Sequence, residues 1–320
     1  MTAQNIRIPA AAVESTADTR LHNQKRFWVI LSLLTVYIVW GTTYLASHIA
    51  LESFPPYLLM GTRFITAGTI LFALLLATGT KLPTRRQWRN AAIIGTFILV
   101  GGTGSVALAQ GAISSGLAAT LVATVPLWTL IFNLFWKKIP SRTDWIGVGL
   151  GISGVALLTQ EGNLQANPLG VLIILFAAAN WAFGSVLSSH LDMPKGIMMN
   201  AAQMMCAGVV FFIVSALRGE AMLHTPTSST LLALTYLITF GSLAAMSAYV
   251  YLLNNVSALL ATSYTFVNPA IALMLGSVLA GEKLTGSAFV ALPLILLGVG
   301  FVAYRRSSAA KPTPQANHYN

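Results

Sequence analysis

An asparagine followed by proline, Asn268-Pro269, stands near the middle of an apolar run, 257–280, that is otherwise long enough to cross a bilayer. A hydrocarbon core of ~30 Å needs about 20 apolar residues in helical conformation. Proline has no backbone N–H and crowds the carbonyl four residues back, so the Thr265 carbonyl loses its helical partner at membrane depth. A freed carbonyl beside a side-chain amide is tolerated there only against protein or a water-filled cavity. The same break recurs at Pro126 in an earlier apolar run. A broken span repeated in both halves of a chain is the sequence mark of a central solute site.

Other groups fall near the same depth. Trp40 and Trp181 each lie roughly a dozen residues into their apolar runs, as Pro126 and Pro269 do. Tyr37, Trp40, Tyr44 and His48 recur at spacings of three and four, which puts them on one helical face. Such a stripe offers stacking and cation–π contact to a solute, with Trp40 and Tyr44 as its core. Tyr37 and His48 read better as packing and interfacial residues. Asn180, beside Trp181, and Tyr264, one turn before Asn268, add neutral hydrogen-bonding groups, as does Gln110. Arg63 is the one charge well inside a span, at an insertion cost of about 2.5–3.5 kcal/mol. It serves as a counter-charge to an anionic solute, as a gate pairing with Glu52, or as a packing and headgroup anchor. Candidate solute contacts are therefore Trp40, Tyr44, Asn180, Trp181, Tyr264 and Asn268, with Arg63 and Glu52 as gate or counter-charge.

The elements that carry these residues must be membrane helices. Hydrophobic residues make up 56% of the 320 and charged residues 8%, with mean hydropathy +0.73. Ten apolar runs qualify as spans: about 27–46, 57–78, 91–109, 115–136, 145–159, 169–189, 197–217, 231–253, 257–280 and 286–304. The first, preceded by Arg20, Lys25 and Arg26, is too long for a cleaved leader and reads as an anchored first helix. Residues 1–26 and 305–320 are polar and read as disordered tails.

With the N-terminus in the cytoplasm, fifteen of the 18 Lys and Arg residues fall inside. Only Arg218 and Lys283 fall outside, and Arg63 lies within a span. The net charge of +10 is thus a topology signal rather than a nucleic-acid footprint. The chain also repeats itself. ISSGLAATLVATVP, ending at Pro126, aligns without gaps on VSALLATSYTFVNP, ending at Pro269; Trp40 answers Trp181, and Ser47 answers Ser188. Five spans per copy, an odd number, invert the second copy in the membrane, an arrangement suited to alternating access.

The segments WGTTYLASHIALESFPP with GTRF, NPLGVLIILFAAANWAFGSV and ALLATSYTFVNPAIALMLGSVLAGEKLT resemble the drug/metabolite transporter superfamily. Within it they are most similar to bacterial EamA-type inner-membrane exporters of the YedA-like group. The resemblance covers about Phe27 to Tyr304. It implies an all-α integral membrane fold of ten transmembrane helices, two inverted five-helix EamA repeats over 27–160 and 167–304, with both termini cytoplasmic. It also implies efflux of amino acids, related metabolites or toxic analogues without ATP.

Other classes fit less well. A membrane enzyme would need an intramembrane acid pair, a zinc-binding His-Glu helix or a nucleophile–base pair, and no such catalytic set is present. The single cysteine, Cys206, forms no disulfide, and no metal-ligand spacing or cofactor motif occurs. The glycines at 101, 102 and 104 and at 147, 149, 151 and 154 are helix-contact faces, not phosphate loops. A channel would need a filter or a charged ring. An uptake permease or facilitator remains the alternative, and the lack of a carboxylate inside the spans favours a facilitator over a proton-driven antiporter. The expected partners are a small-molecule substrate and the lipid bilayer, with no obligatory protein partner and no nucleic acid.

The charge asymmetry carries a direct test. In intact cells, a membrane-impermeant thiol reagent should label a cysteine at Thr227 and leave cysteines at Arg86 and Lys138 unlabelled. Labelling at Arg86 overturns the orientation.

Overall fold

A computed structural model of the chain describes residues 10–110, 118, 121–159, 168–222, 224–271, 290, 293–298 and 301. The described residues are helical, with no strand among them. In chain order they form α1 (Ala10–Leu51), α2 (Pro56–Ala77), α3 (Arg85–Ala109), α4 (Val125–Phe135) and α5 (Arg142–Thr159). There follow α6 (Pro168–Ser188), α7 (Met198–Leu217), α8 (Ser228–Asn255), α9 (Ala258–Thr262) and α10 (264–271). Among the described residues six helices are long and apolar enough to cross a membrane: Asn23–Leu51 within α1, then α2, α3, α6, α7 and α8. The expected ten spans are therefore not all visible. Much of the runs 257–280 and 286–304 lies outside the described residues, and the fourth run is represented by the short apolar α4.

The helices carry their large apolar side chains outward as well as inward. Leu34, Ile38, Leu45, Leu74, Leu172, Phe176 and Leu232 are all exposed, the pattern of a surface that meets lipid rather than water. The helix α1 starts at Ala10, so residues 10–26, expected as part of a disordered tail, are helical here. The run Ala10-Ala11-Ala12, with Glu14, Ala17 and Leu21, consists of strong helix formers continuous with the span.

One end of the bundle is basic. There Gln87 and Asn90 of α3 bind Asp192 beyond α6: Gln87 Nε2 donates to Asp192 Oδ1 at 3.2 Å and Asn90 Nδ2 to the Asp192 carbonyl at 2.9 Å. At the opposite end Glu220 accepts from the backbone N–H groups of Tyr57 and Leu58 at 3.4 and 2.9 Å. These are among the donors a helix start leaves without partners, and the carboxylate also meets the positive pole of α2.

The two copies of the repeat show in the backbone. Both α2 and α7 end in a glycine with left-handed φ, Gly79 at 79° and Gly219 at 65°. Each closes with the same pair of reverse bonds, Thr80 N–H to Leu75 carbonyl and Glu220 N–H to Ser215 carbonyl, both 3.0 Å; only glycine adopts this conformation without strain. These two helices make the most extensive contact in the bundle. A Cβ at Gly68 would lie 2.8 Å from the Met205 backbone nitrogen, and one at Gly208 would lie 2.8 Å from that of Ile65. Small residues let the backbones meet, which is how membrane helices gain packing energy where lipid offers no hydrophobic drive.

A second repeated feature was not expected from the sequence. Both α3 and α8 change to π-helix part-way, over Thr96–Gly104 and Leu237–Ala244. The i→i+5 bonding of such segments is rare and concentrates at functional sites.

The tight α2–α7 crossing predicts that Gly68→Ala and Gly208→Ala each lower stability in detergent by about 1–3 kcal/mol, read by thermal unfolding of purified protein. Gly149→Ala, where a Cβ meets nothing within 4 Å, should stay within about 0.5 kcal/mol of the parent.

Candidate functional site

Inside the bundle four aromatic rings form one cluster. Trp40 of α1 lies 5.4 Å from Trp181 of α6, edge to face at 90°, and 4.6 Å from Tyr264 of α10. Tyr249 of α8 completes it, 5.2 Å from Trp40 and 5.6 Å from Trp181. Centroid spacings of this order are the favoured ones for aromatic pairs, worth about 0.5–1.5 kcal/mol each beyond burial.

The two π segments seat the two tryptophans. In α8 the Ala245 N–H bonds the Phe240 carbonyl, five residues back, instead of Gly241, four back. The Gly241 carbonyl accepts from Trp40 Nε1 at 3.1 Å. In α3 a Cβ at Gly102 would stand 2.7 Å from the Trp181 ring, so glycine alone admits that indole without a shift. Each π segment thus receives the tryptophan of the other repeat. Trp181 Nε1 donates to the Tyr249 hydroxyl at 2.9 Å instead of to a carbonyl.

A cavity of ≈ 90 Å³ lies against this cluster. At about 10–15 Å³ for a single water it holds several waters or one small solute group. Its wall includes Trp40, Thr43, Tyr44, Ser47, Arg63, Gln110, Trp181, Tyr264 and Asn268, with apolar closure by Met60, Val106, Val122, Ala178 and Met246. Of the residues expected from the sequence, Trp40, Tyr44, Trp181, Tyr264, Asn268 and Arg63 are brought together there. Asn180 and Glu52 are not. Asn180 Nδ2 donates to the Phe176 carbonyl of its own helix at 2.9 Å, and its Oδ1 faces Gly101. Glu52 is exposed on the turn after α1.

The two prolines sit at differing places. The chain turns at residues 123–124 and α4 begins with Pro126 in its first turn, where a missing N–H costs nothing. In the second copy the turn comes at Ser263, and α10 runs through Asn268-Pro269. The irregularity of this run therefore falls at Ser263, and the helix continues through the proline expected to break it.

The polar groups of the cavity are incompletely paired. Arg63 is 4% exposed, its Nε donating to Ser242 Oγ at 2.8 Å and its Cζ 4.8 Å from the Phe64 ring centre. Among the described residues no carboxylate lines the cavity. Asn268, 2% exposed, and Gln110 each bury a side-chain carbonyl oxygen that has no hydrogen-bond partner among the described residues. A buried acceptor left so costs about 1–3 kcal/mol. One cation and two waiting acceptors thus face a space floored by aromatic rings. Among the described residues no group of His, Cys, Asp and Glu could hold a metal ion.

Tyr249 and Ser242 were not singled out from the sequence. Tyr249 aligns with Val106 in the gapless repeat register, so it carries no duplicated signal. Ser242 reads as an ordinary small residue until the π segment turns it towards Arg63.

The sequence pattern of EamA-like transporters matches the chain twice, over residues 27–160 and 168–304. The chain belongs to the EamA-like transporter family. It is 44% identical over 272 residues to the uncharacterized inner membrane transporter YedA of Escherichia coli strain K12, covering 85% of this chain and 89% of that one. It is 25% identical to the uncharacterized transporter YoaV of Bacillus subtilis strain 168 (85% and 95% covered). It is 24% identical to a probable amino-acid metabolite efflux pump of E. coli K12 (84% and 92% covered). A solved crystal structure superposes with a TM-score of 0.71 at 19% identity, over 88% of this chain and 99% of the other, a likeness of fold. As an EamA protein of this composition, the chain is a multi-pass inner-membrane transporter and not an enzyme.

The unequal tryptophan bonds predict unequal costs. Trp40→Phe strands the Gly241 carbonyl and should destabilise the detergent-solubilised protein by about 1–3 kcal/mol. Trp181→Phe leaves the Tyr249 hydroxyl its bond to Ser185 and should cost about half as much. Equal melting temperatures for the two variants would contradict the assignment.

Proposed function

We propose that this protein is a secondary transporter, independent of ATP, that exports amino acids, related metabolites or toxic analogues across the inner membrane by alternating access. The full architecture in this reading is ten transmembrane helices in two inverted five-helix repeats, with both termini and the basic end of the bundle in the cytoplasm. It needs no cofactor, nucleic acid or obligatory protein partner.

The observation that carries the reading is the pairing state of the cavity. Arg63 is buried without a carboxylate in the cavity wall, and the carbonyl oxygens of Asn268 and Gln110 wait for donors. A solute with a carboxylate at one end and N–H donors at the other supplies both, and the rings of Trp40, Trp181 and Tyr264 take its apolar part. The relative described as a probable amino-acid metabolite efflux pump supports the same class.

The test is counterflow in proteoliposomes, with candidates first found by thermal shift over amino acids, the corresponding decarboxylated amines, cationic drugs and nucleosides. Amino acids should exchange and the decarboxylated amines should not. Trp40→Ala and Asn268→Ala should abolish exchange in protein that remains folded and inserted, and Arg63→Gln should reduce it at least tenfold, the equivalent of one charge-assisted bond. Leu74→Ala, on the exposed face of α2, should transport as the parent does. Normal exchange by both Trp40→Ala and Asn268→Ala would move the site elsewhere, and accumulation in the inward direction under an imposed gradient would make the protein an uptake permease.

A further inference from the structure

A second cavity, of ≈ 380 Å³, lies nearer the basic end and is walled by Asn133, Lys138, Ser185, Ser189, Ser257 and Leu260. It shares two chain segments with the central cavity. On α6, Trp181 faces the central cavity and Ser185, one turn later, faces the second. Across the α9–α10 turn, Tyr264 faces the central cavity and Leu260 the second. At both segments a layer of tyrosine and serine hydroxyls is bonded next to the residues that face the two spaces.

The layer is a pair of hydrogen-bonded latches of one design. Ser185 Oγ donates to the Trp181 carbonyl at 2.6 Å, so at 2.6 Å from the Tyr249 hydroxyl it acts as acceptor. The Tyr249 oxygen in turn accepts from Trp181 Nε1. Ser263 Oγ likewise donates to the Leu260 carbonyl at 2.7 Å and accepts from the Tyr37 hydroxyl at 2.8 Å. In both cases a serine has spent its proton on its own helix and takes a tyrosine proton from another. Tyr249 and Ser263 are 0% exposed.

We propose that these latches, Tyr249 on Ser185 and Tyr37 on Ser263, form the gate between the central cavity and a vestibule at the basic end. This rests on the alternating-access reading above. Neutral hydroxyl bonds suit a gate, because each shifts an equilibrium by only about two- to tenfold and breaking one strands no charge. The aromatic bodies give closure, and the hydroxyls set how long it lasts.

The gate is testable without knowing the solute. In a Cys206→Ala background, cysteine is placed at Ala178, in the central wall, or at Ser189, in the vestibule. A membrane-impermeant methanethiosulfonate is then added from either face of vesicles. Ser189→Cys should react from the basic face in every variant, which also reports which face that is. Ala178→Cys should react slowly from that face in the parent and roughly tenfold faster after Tyr249→Phe, and its labelling from the opposite face should fall. Ser185→Ala breaks the first latch from its other residue and Tyr37→Phe breaks the second, so a variant that does not fold leaves two that decide. Unchanged labelling in the folded variants overturns the gate, as does a rise from both faces, which marks loosened packing. If the gate behaves as described but none of the panel is exchanged, the proposed solute class fails separately.

Discussion

A backbone carbonyl or N–H inside a hydrocarbon slab must find its partner within the protein, and the central site is built from the places where the helical ladder declines to supply one. In α8 the change to i→i+5 bonding removes Ala245 as the partner of the Gly241 carbonyl, and the indole of Trp40 takes that position. The bond fixes Trp40 across the bundle, and Trp40 then sets the aromatic cluster, since Trp181, Tyr249 and Tyr264 all pack on it. Ser242, next in the same π segment, holds Arg63. One irregular stretch therefore orients both the stacking wall and the one charged side chain among the described residues of the cavity wall.

The repeat explains why such irregularities come in pairs, and its imperfections explain why the cavity is not symmetric. Gly79 and Gly219 end matching helices in matching ways, and the π segments fall in matching helices. The tryptophans, by contrast, bond a carbonyl in one case and a tyrosine hydroxyl in the other. A symmetric protein would hold its two halves in equivalent states and leave no preferred direction of opening. Here the basic side is closed by hydroxyl latches, whereas the other side carries Arg63 and Gln110.

The residues that the cavity gathers were legible in the sequence where residue type and depth agreed. Trp40, Trp181, Tyr264, Asn268 and Arg63 are costly or bulky groups at mid-span, and a bilayer keeps such groups only for a reason. Asn180 misled because adjacent residues on a helix point about 100° apart, so a position beside Trp181 faces another helix when Trp181 faces the cavity. Glu52 was paired with Arg63 on charge alone, but the acid that reaches this end of α2 is Glu220, bound to backbone rather than to the guanidinium. The π segments had no sequence sign, because glycine in a membrane helix reads equally as a contact face. They follow from what must fit beside them, a tertiary fact.

Arg63 also bears on how cargo and conformation are coupled. A guanidinium buried beside a serine, a thioether and a phenyl ring has part of its lost hydration replaced, and no carboxylate among the described residues of the cavity wall balances its charge. Antiporters driven by protons solve a similar problem with a carboxylate that titrates, which the cavity wall lacks. In the proposed reading the balancing charge arrives with the solute. A carboxylate-bearing solute then lowers the energy of the occluded form directly, whereas the empty cavity retains both the unbalanced cation and the two unpaired acceptors. Binding and closure are coupled by the same groups, because an interaction that differs between two conformations is what allows a ligand to shift their populations. Selectivity follows from that coupling: a solute without the charge could enter the cavity but would not offset the cost of closing it.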